Sequence, residues 1–436
     1  MWAFTSSSFI GVADLASVRF SLPSQLLEPT PNLEYWNYLD SPNAFVAIGT
    51  ADDPVDRMLE VLRFWFTKDL NCLGEFFRCN WETEDDAPKI DTSALRGTGS
   101  ASGSTPGSSA SSTKSTKSAR LSGASRLGSG DARAASSVSV LQSAANPAKP
   151  VRVSYLTEQT SHHPPVSAFY ISCPEKGIHA KGFDQITAKF TGTSIKVMPG
   201  EHNLGIFITV ERRDHETYQL KHPAAHLGGI LRGALSVTVG DVAYVTCPET
   251  KLKAILRYYD DGWLGRSTNK MEGIIFRYDP ENDDKTRITD VPEADILVRL
   301  GGAWKEKIVF TLGPKPLNSH PPEEQITIID IAPLTVAPKV LPPVDQQLPN
   351  ESLQLWDGVT KAILAKQFSK ATTVKQELEE AQREKARERE RKGETWTPVF
   401  FEQATDKAGK PSLTEKGREV LNRAQKGDWS MDGILS

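Results

Sequence analysis

The nonapeptide Lys251-Leu252-Lys253-Ala254-Ile255-Leu256-Arg257-Tyr258-Tyr259 sets Leu252, Ala254, Leu256 and Tyr258 on one side and Lys251, Lys253, Ile255 and Arg257 on the other. A period of two belongs to a strand with one face in a core, not to a helix. Ile206, Ile208 and Val210 alternate in the same way with Phe207, Thr209 and Glu211. Further runs at 166–171, 178–190, 241–247, 273–278 and 308–312 are separated by Gly-, Asp- and Pro-containing turns, without helical patterns between them. Many short strands so spaced predict an antiparallel barrel or sandwich over 151–313. Phe207, apolar between Ile206 and Ile208, implies a wall with apolar groups on both faces: an apolar lumen inside and covering elements outside.

Outside this block the periodicity changes. Asp53 is a good N-cap and Pro54 suits the first helical position. Val55, Met58, Leu59, Leu62, Trp65 and Phe66 then recur at helical spacing, which predicts a helix with one buried face and no chemistry. The first 35 residues read equally as an ordinary first helix or as a flap that touches membranes. After a Pro-rich strap (Pro333, Pro338, Pro342, Pro343, Pro349), Leu355, Trp356, Val359, Ile363 and Leu364 form a helical stripe expected to lie on the barrel. Of residues 375–392, 13 of 18 are charged with signs interspersed, as in a solvated, salt-bridged helix.

Residues 92–147 contain 17 Ser among 56 residues, six Lys or Arg against one Asp, and no Phe, Trp or Tyr. Too little apolar surface is available there to offset ordering entropy, so a disordered insertion is expected. Its glycines follow no strand and lack a terminal GK[ST], which excludes a phosphate loop.

Over all 436 residues, 51 basic against 55 acidic side chains give a net charge of −4, so no global basic field gathers nucleic acid. Four scattered cysteines make neither a disulfide scaffold nor a zinc cage and point to a reducing compartment. No stretch approaches the ~18 apolar residues of a membrane span, and the N-terminus is a poor signal peptide. The expected molecule is soluble and intracellular.

The most informative string is Glu158-Gln159-Thr160-Ser161-His162-His163-Pro164-Pro165. The prolines fix φ and bar a helix through the histidines. Successive extended side chains point apart, so both rings reach one ligand only if the backbone bends there. A metal site would need further ligands, and no HExxH or CxxC is present. A nucleophilic serine would need a GxSxG elbow, which is absent. The best reading is an anion-binding pair, since imidazoles with pKa near ~6.5 become cationic donors beside a phosphate. A purely structural pair competes with it.

The string resembles the EQVSHHPP signature of the oxysterol-binding protein-related family, with Thr160 in place of Val. Leu73-Gly74-Glu75-Phe76-Phe77-Arg78 is similar to that family's LGE-F-R block. Lys375-x-x-x-Glu379-x-x-Gln382-Arg383 is similar to its C-terminal K-x-x-x-E-x-x-Q-R block. The resemblance implies an α+β, mainly β fold: a near-complete antiparallel β-barrel around a hydrophobic tunnel, with an N-terminal lid (1–30), flanking helices and a helical C-terminal region. It implies a short form consisting of the lipid-binding domain only, spanning 31–403 with the insertion inside it, and a tail over 404–436. His162, His163, Lys375, Glu379 and Arg383 would hold the inositol phosphate headgroup. Helix geometry agrees, because residues 375, 379 and 383 share one face. Lys68 takes the place of the family's phosphate-contacting lysine, although Lys68-Asp69-Leu70-Asn71-Cys72-Leu73-Gly74-Glu75 is one residue short of the family block and lacks both its prolines. Gly182-Phe183-Asp184-Gln185 resembles a tunnel-lining segment, so Asp184 could approach a sterol hydroxyl.

The function implied is a carrier of phosphatidylinositol 4-phosphate that exchanges it, in the same tunnel, for a sterol or for phosphatidylserine. It would act as a monomer touching intracellular membranes (endoplasmic reticulum, Golgi or plasma-membrane contacts), with no cofactor, metal or nucleic acid. Burying several hundred Å² of lipid is worth on the order of 10 kcal/mol at ~25 cal/mol per Å² but discriminates little between lipids. Charge-assisted bonds of ~1.5–3 kcal/mol each select the headgroup. The competing classes are a lipid-metabolising enzyme using His162 as base, for which no partner nucleophile or metal is visible, and a lipid-sensing scaffold.

Overall fold

The computed structural model describes residues 29–35, 37–67, 75–93, 150–162, 164–191, 194–228, 236–259 and 269–434. The chain divides into one large unit, 1–90 with 146–436, and a second, 91–145, of which only residues 91–93 are described. Residues 94–147 of the predicted insertion and residues 1–28 of the predicted lid lie outside the described residues.

The strands are β1 (Phe76–Thr83), β2 (Val151–His162), β3 (Pro165–Cys173), β4 (Ile178–Asp184), β5 (Ile186–Phe190), β6 (Ile195–Pro199), β7 (Ile206–Val210), β8 (Glu216–Lys221), β9 (Ala225–Gly228), β10 (Ser236–Val239), β11 (Asp241–Cys247), β12 (Leu252–Tyr258), β13 (Lys270–Arg277), β14 (Ile296–Ala303), β15 (Lys307–Leu312) and β16 (Ile326–Asp330). The described helices are α1 (Asn32–Tyr35), α2 (Pro42–Val46), α3 (Pro54–Trp65), α4 (Ser352–Leu364), α5 (Phe368–Lys392) and α6 (Glu415–Gln425).

Twelve strands form one sheet in the order β1-β2-β3-β4-β7-β8-β11-β12-β13-β14-β15-β16, and β10-β9-β6-β5 form a second. Every strand pairing in both sheets is antiparallel. The mainly β, antiparallel class read from the alternation is therefore what the chain adopts. β1 and β16 are the edges of the large sheet, so the wall has a seam. The strap covers the β1 edge: Asn80 N donates to Val340 O (2.9 Å) and Val340 N to Asn80 O (2.7 Å).

Alternation on β12 sorts its two faces as expected. Leu252, Ala254, Leu256 and Tyr258 join one large core cluster, whereas Ile255 joins a smaller one with Ile274, Phe276, Val291 and Ile296. The large cluster takes one face of nearly every strand of the long sheet together with α2 and α3. These two helices pack on the face that the strands share. Asp53 caps α3 as predicted, accepting from Val55 N (2.7 Å) and Asp56 N (3.3 Å). Buried Arg57 on α3 clamps Glu216 on β8 at 2.9 and 2.6 Å, and Trp65 Nε1 donates to Tyr258 OH on β12 at 2.8 Å. Strands from separated parts of the wall are thus tied to one helix.

The opposite face of β1–β4 is covered by the C-terminal residues. Residues 404–434, set apart from the domain in the sequence reading, fold onto the wall. Leu413, Val420, Leu421, Met431 and Ile434 cluster with Phe76, Leu156, Val166, Ala168, Phe183, Phe400 and Phe401. α6 starts at Thr414, whose hydroxyl accepts from Gly417 N (3.1 Å). A Cβ on Gly417 would stand 2.2 Å from Phe400 O, so this close approach requires glycine. Phe207, the apolar residue on the second face of β7, lies under Lys410 Nζ (4.7 Å to the ring centroid) of the same segment.

Candidate functional site

The signature string runs along the last residues of β2 to the β2–β3 turn. The register shifts between Gln159 and Ser161, which oppose Ser167 and Val166, so Thr160 is an extra, bulged residue. Thr160 is buried, and its hydroxyl donates to Ala404 O at 2.6 Å. The one residue that departs from the family signature therefore tethers the C-terminal segment. Glu158, also buried, accepts from Val399 N and Phe400 N at 2.8 Å each, and burial raises its pKa. Sequence reasoning missed both anchoring roles. Their signal was an acid and a threonine at positions where the alternation calls for buried groups. His162 ends β2 opposite Pro165 and is exposed, with Nδ1 3.5 Å from Gln159 Nε2. His163 and Lys68 lie outside the described residues.

The second half of the predicted site stands on a helical hairpin. Val359 and Ala362 of α4 and Ala371 of α5 form a small core, with Trp356, Ile363, Val374 and Leu378 around it. The stripe on α4 thus packs chiefly on α5, not on the barrel as the sequence suggested, and Leu364 is 65% exposed. The apolar positions of α5, hidden among charges, are what redirect it. On α5, Lys375 Nζ lies 3.2 Å from Glu379 Oε1, and Arg383 reaches Glu379 Oε2 at 3.2 Å and Glu380 Oε2 at 2.8 Å. The three residues form the expected row. Lys375 is the sheltered member, its side chain 13% exposed, and Arg383 the open one at 50%.

Glu75 joins the two halves. Its carbonyl accepts from Gln159 N (2.8 Å), and its carboxylate Oε2 accepts from Trp356 Nε1 of α4. The neighbouring Phe76 forms a parallel bridge with Glu351, and Ser352 Oγ donates to Phe76 O (3.1 Å). The rim that carries His162 and the hairpin that carries Lys375 are therefore held at the same end of β1. Glu75 is buried with Oε1 lacking a hydrogen-bond partner among the described residues, and desolvation pushes its pKa up to about 7. Arg78, the last residue of the LGE-F-R block, is structural. It is buried, grips Glu351 at 2.8 and 3.3 Å, donates to Trp429 O at 2.9 Å, and stacks over the Trp429 ring.

Asp184 ends β4 opposite Ser167, and its carboxylate accepts from Tyr38 OH. Tyr38 is buried at φ 61°, the left-handed region that a bulky residue enters only when its surroundings compel it. Its ring meets Phe169 (centroids 5.2 Å apart) and stacks on His222 (6.0 Å), which in turn lies 5.5 Å from Trp65. Burial first, then the Asp184 charge, raises the Tyr38 pKa, keeping the hydroxyl a donor. Tyr38 was not among the residues the sequence singled out. Among the described residues no group of three or more His, Cys, Asp or Glu could hold a metal ion, and no helix is long and apolar enough to cross a membrane.

The Oxysterol-binding protein family model matches residues 2–361 and 360–430. Oxysterol-binding protein-like protein 1 of Schizosaccharomyces pombe is 38% identical over 95% of this chain and 89% of its own length. Human oxysterol-binding protein-related protein 10 is 26% identical over 88% of this chain, which spans only 44% of that longer protein. Among solved structures, the Osh1 ORD domain in complex with ergosterol superposes with a TM-score of 0.61 at 18% identity, covering 96% of this chain and 87% of that one. The Osh3 ORD in complex with PI(4)P from Saccharomyces cerevisiae gives 0.56 at 15%, covering 96% and 92%. Those two share the fold; the family match across nearly the whole sequence decides membership. The chain belongs to the oxysterol-binding protein family.

Proposed function

We propose that the chain is a lipid carrier. It binds phosphatidylinositol 4-phosphate and, in exchange in the same tunnel, a sterol, and moves them between intracellular membranes. It works from the cytoplasm as a monomer, with peripheral membrane contact and without catalysis or cofactor. The observation that carries this reading is the joining, through Glu75, of the His162 rim to the α4–α5 hairpin, which sets Lys375 and the β2 signature at one end of the wall. His162, His163, Lys375 and Arg383 supply the donors for a phosphomonoester, and Lys68 is assigned a further one from its place in the family block alone. Glu379, between Lys375 and Arg383, holds the two cations in place until the anion arrives. Asp184, positioned by Tyr38, is the polar group offered to a sterol hydroxyl. Residues 1–30 serve as the lid, and near their end Pro29 O is held by Thr360 Oγ1 of α4 at 2.8 Å. Related proteins solved with ergosterol and with PI(4)P make both ligand classes compatible with this fold.

The test is transfer between donor and acceptor liposomes, with the extracted lipid identified by mass spectrometry. Lys375→Ala should reduce phosphoinositide extraction at least tenfold, since a charge-assisted contact is worth ~1.5–3 kcal/mol, while sterol extraction stays within about twofold. Extraction of phosphatidylserine in place of sterol would reassign the second ligand. Chemically altered phosphoinositide would replace the carrier reading by an enzyme that uses His162 as base.

A further inference from the structure

α4 has 13 residues and α5 has 25, so the second half of α5 extends past its partner. The apolar face that packs on α4, at Ala371, Val374 and Leu378, ends there. Continued at helical spacing, the same face carries Lys385, Arg389 and Lys392. The cations on the other flank are consumed in a ladder. Arg383 and Arg387 hold Glu380, and Arg387 and Arg391 hold Glu384 at 3.0 Å each. Lys385 and Arg389, by contrast, form no ion pair among the described residues, and Lys392 has only Glu388, at 2.9 Å. From 383 to 392 six basic residues face three acidic ones, a local charge of +3 in a chain whose net charge is −4.

Two further observations point to what this face meets. All residues from 382 to 392 are exposed except the half-buried Arg389, and after the left-handed cap at Gly393 the indole of Trp396 stands 44% exposed. An indole with an apolar body and a polar N–H is best placed at a membrane–water boundary. The segment is also fixed at both ends. The hairpin core holds it on one side, and on the other Val399 and Phe400 are hydrogen-bonded to Glu158, four residues before His162. A ladder alone would keep the helix soluble; it gives no reason for a basic stripe, outside the ladder, that leads to an open tryptophan.

We propose that Lys385, Arg389, Lys392 and Trp396 form the surface by which this chain docks on an anionic bilayer, holding the His162 rim against the leaflet. The proposal takes from the carrier reading only that a membrane is the partner.

The test is flotation of the full chain with vesicles of phosphatidylcholine containing about one-third phosphatidylserine. Each basic residue near such a leaflet contributes roughly fivefold, so Lys385→Glu/Arg389→Glu should lower partitioning at least tenfold, and Trp396→Ala about fivefold. Lys385→Arg/Arg389→Lys should retain it, and raised salt should erase the difference between the double variant and the parent protein. Thermal melts should change by no more than a few degrees, since Lys385 and Trp396 are exposed and Arg389 is only half-buried. Equal partitioning of the charge-reversed and parent proteins overturns the proposal, as does equal binding of the parent to anionic and neutral vesicles. Binding of a soluble short-chain phosphatidylinositol 4-phosphate, measured without vesicles, should be the same in all variants. If the parent protein fails to bind it while docking persists, the carrier reading fails and the docking surface stands.

Discussion

Glu75 is a carboxyl group in a place suited to a neutral one. One oxygen takes the Trp356 indole N–H, the other meets no donor among the described residues, and burial raises its pKa from 4.5 to about 7. The folded chain thus holds this proton more tightly than the unfolded chain. The associated stability is complete below about pH 4.5 and is lost as pH rises through about 7. Glu75→Gln keeps an acceptor for Trp356 and removes the ionisation. It should leave stability unchanged at low pH and raise it by on the order of 1–3 kcal/mol above neutrality. Denaturant unfolding across pH checks this, and parallel curves for the two proteins would count against it. At this scale the legible features were those with a backbone cause. The prolines that follow the histidines bar a helix there, and β2 runs as a strand to His162. Tyr38 was illegible, because its left-handed conformation arises from the contacts of its ring and hydroxyl, with Asp184 146 positions away.

Strands were legible where apolar and polar residues alternate in the sequence, whatever their burial. β11 and β12 fall at the predicted residues. The span predicted as one run at 178–190 divides at Gln185, whose side chain accepts from His202 N (2.8 Å) where the chain passes to the small sheet. β8 and β14 escaped notice for different reasons. In β8 one of the three buried positions is the charged Glu216, whereas in β14 paired glycines at 301 and 302 dilute the pattern. The α4–α5 contact was hidden because the apolar positions of α5 are few and α5 reads as charge throughout. Those few positions hold the helix that carries Lys375. Val374→Asp, which places a charge against Gly358 of α4 (its Cγ1 is 3.2 Å from a Cβ built there), should release α5 and lower phosphoinositide affinity at least tenfold. The melting temperature should fall by only a few degrees, since the main core is untouched. Isothermal titration with a short-chain phosphoinositide decides it; full affinity with a displaced α5 would mean that Lys375 has no part in the site.

The large unit has one long wall covered on both faces, by α2 and α3 on one and by the C-terminal segment on part of the other. Alternation revealed that the wall has two apolar faces but not which segment covers which, since the partners are hundreds of residues apart in sequence. Removing residues 404–436 would strip Leu413, Val420, Leu421, Met431 and Ile434 from Leu156, Val166 and Phe183. At about 1.5–3 kcal/mol per buried side chain, the loss rivals the ~5–15 kcal/mol that holds a whole domain folded. The truncated chain should aggregate on size-exclusion chromatography, and a monomer with an unchanged melting profile would refute this. The strap over the seam has a consequence of another kind. An edge strand whose amides and carbonyls are unoccupied is a template on which a neighbouring molecule can add its own strand. Asn80 gives both its backbone groups to Val340, within a run whose prolines have no amide hydrogen to extend the ladder outward. A barrel with a gap in its circumference is in this way protected against growing into a fibre.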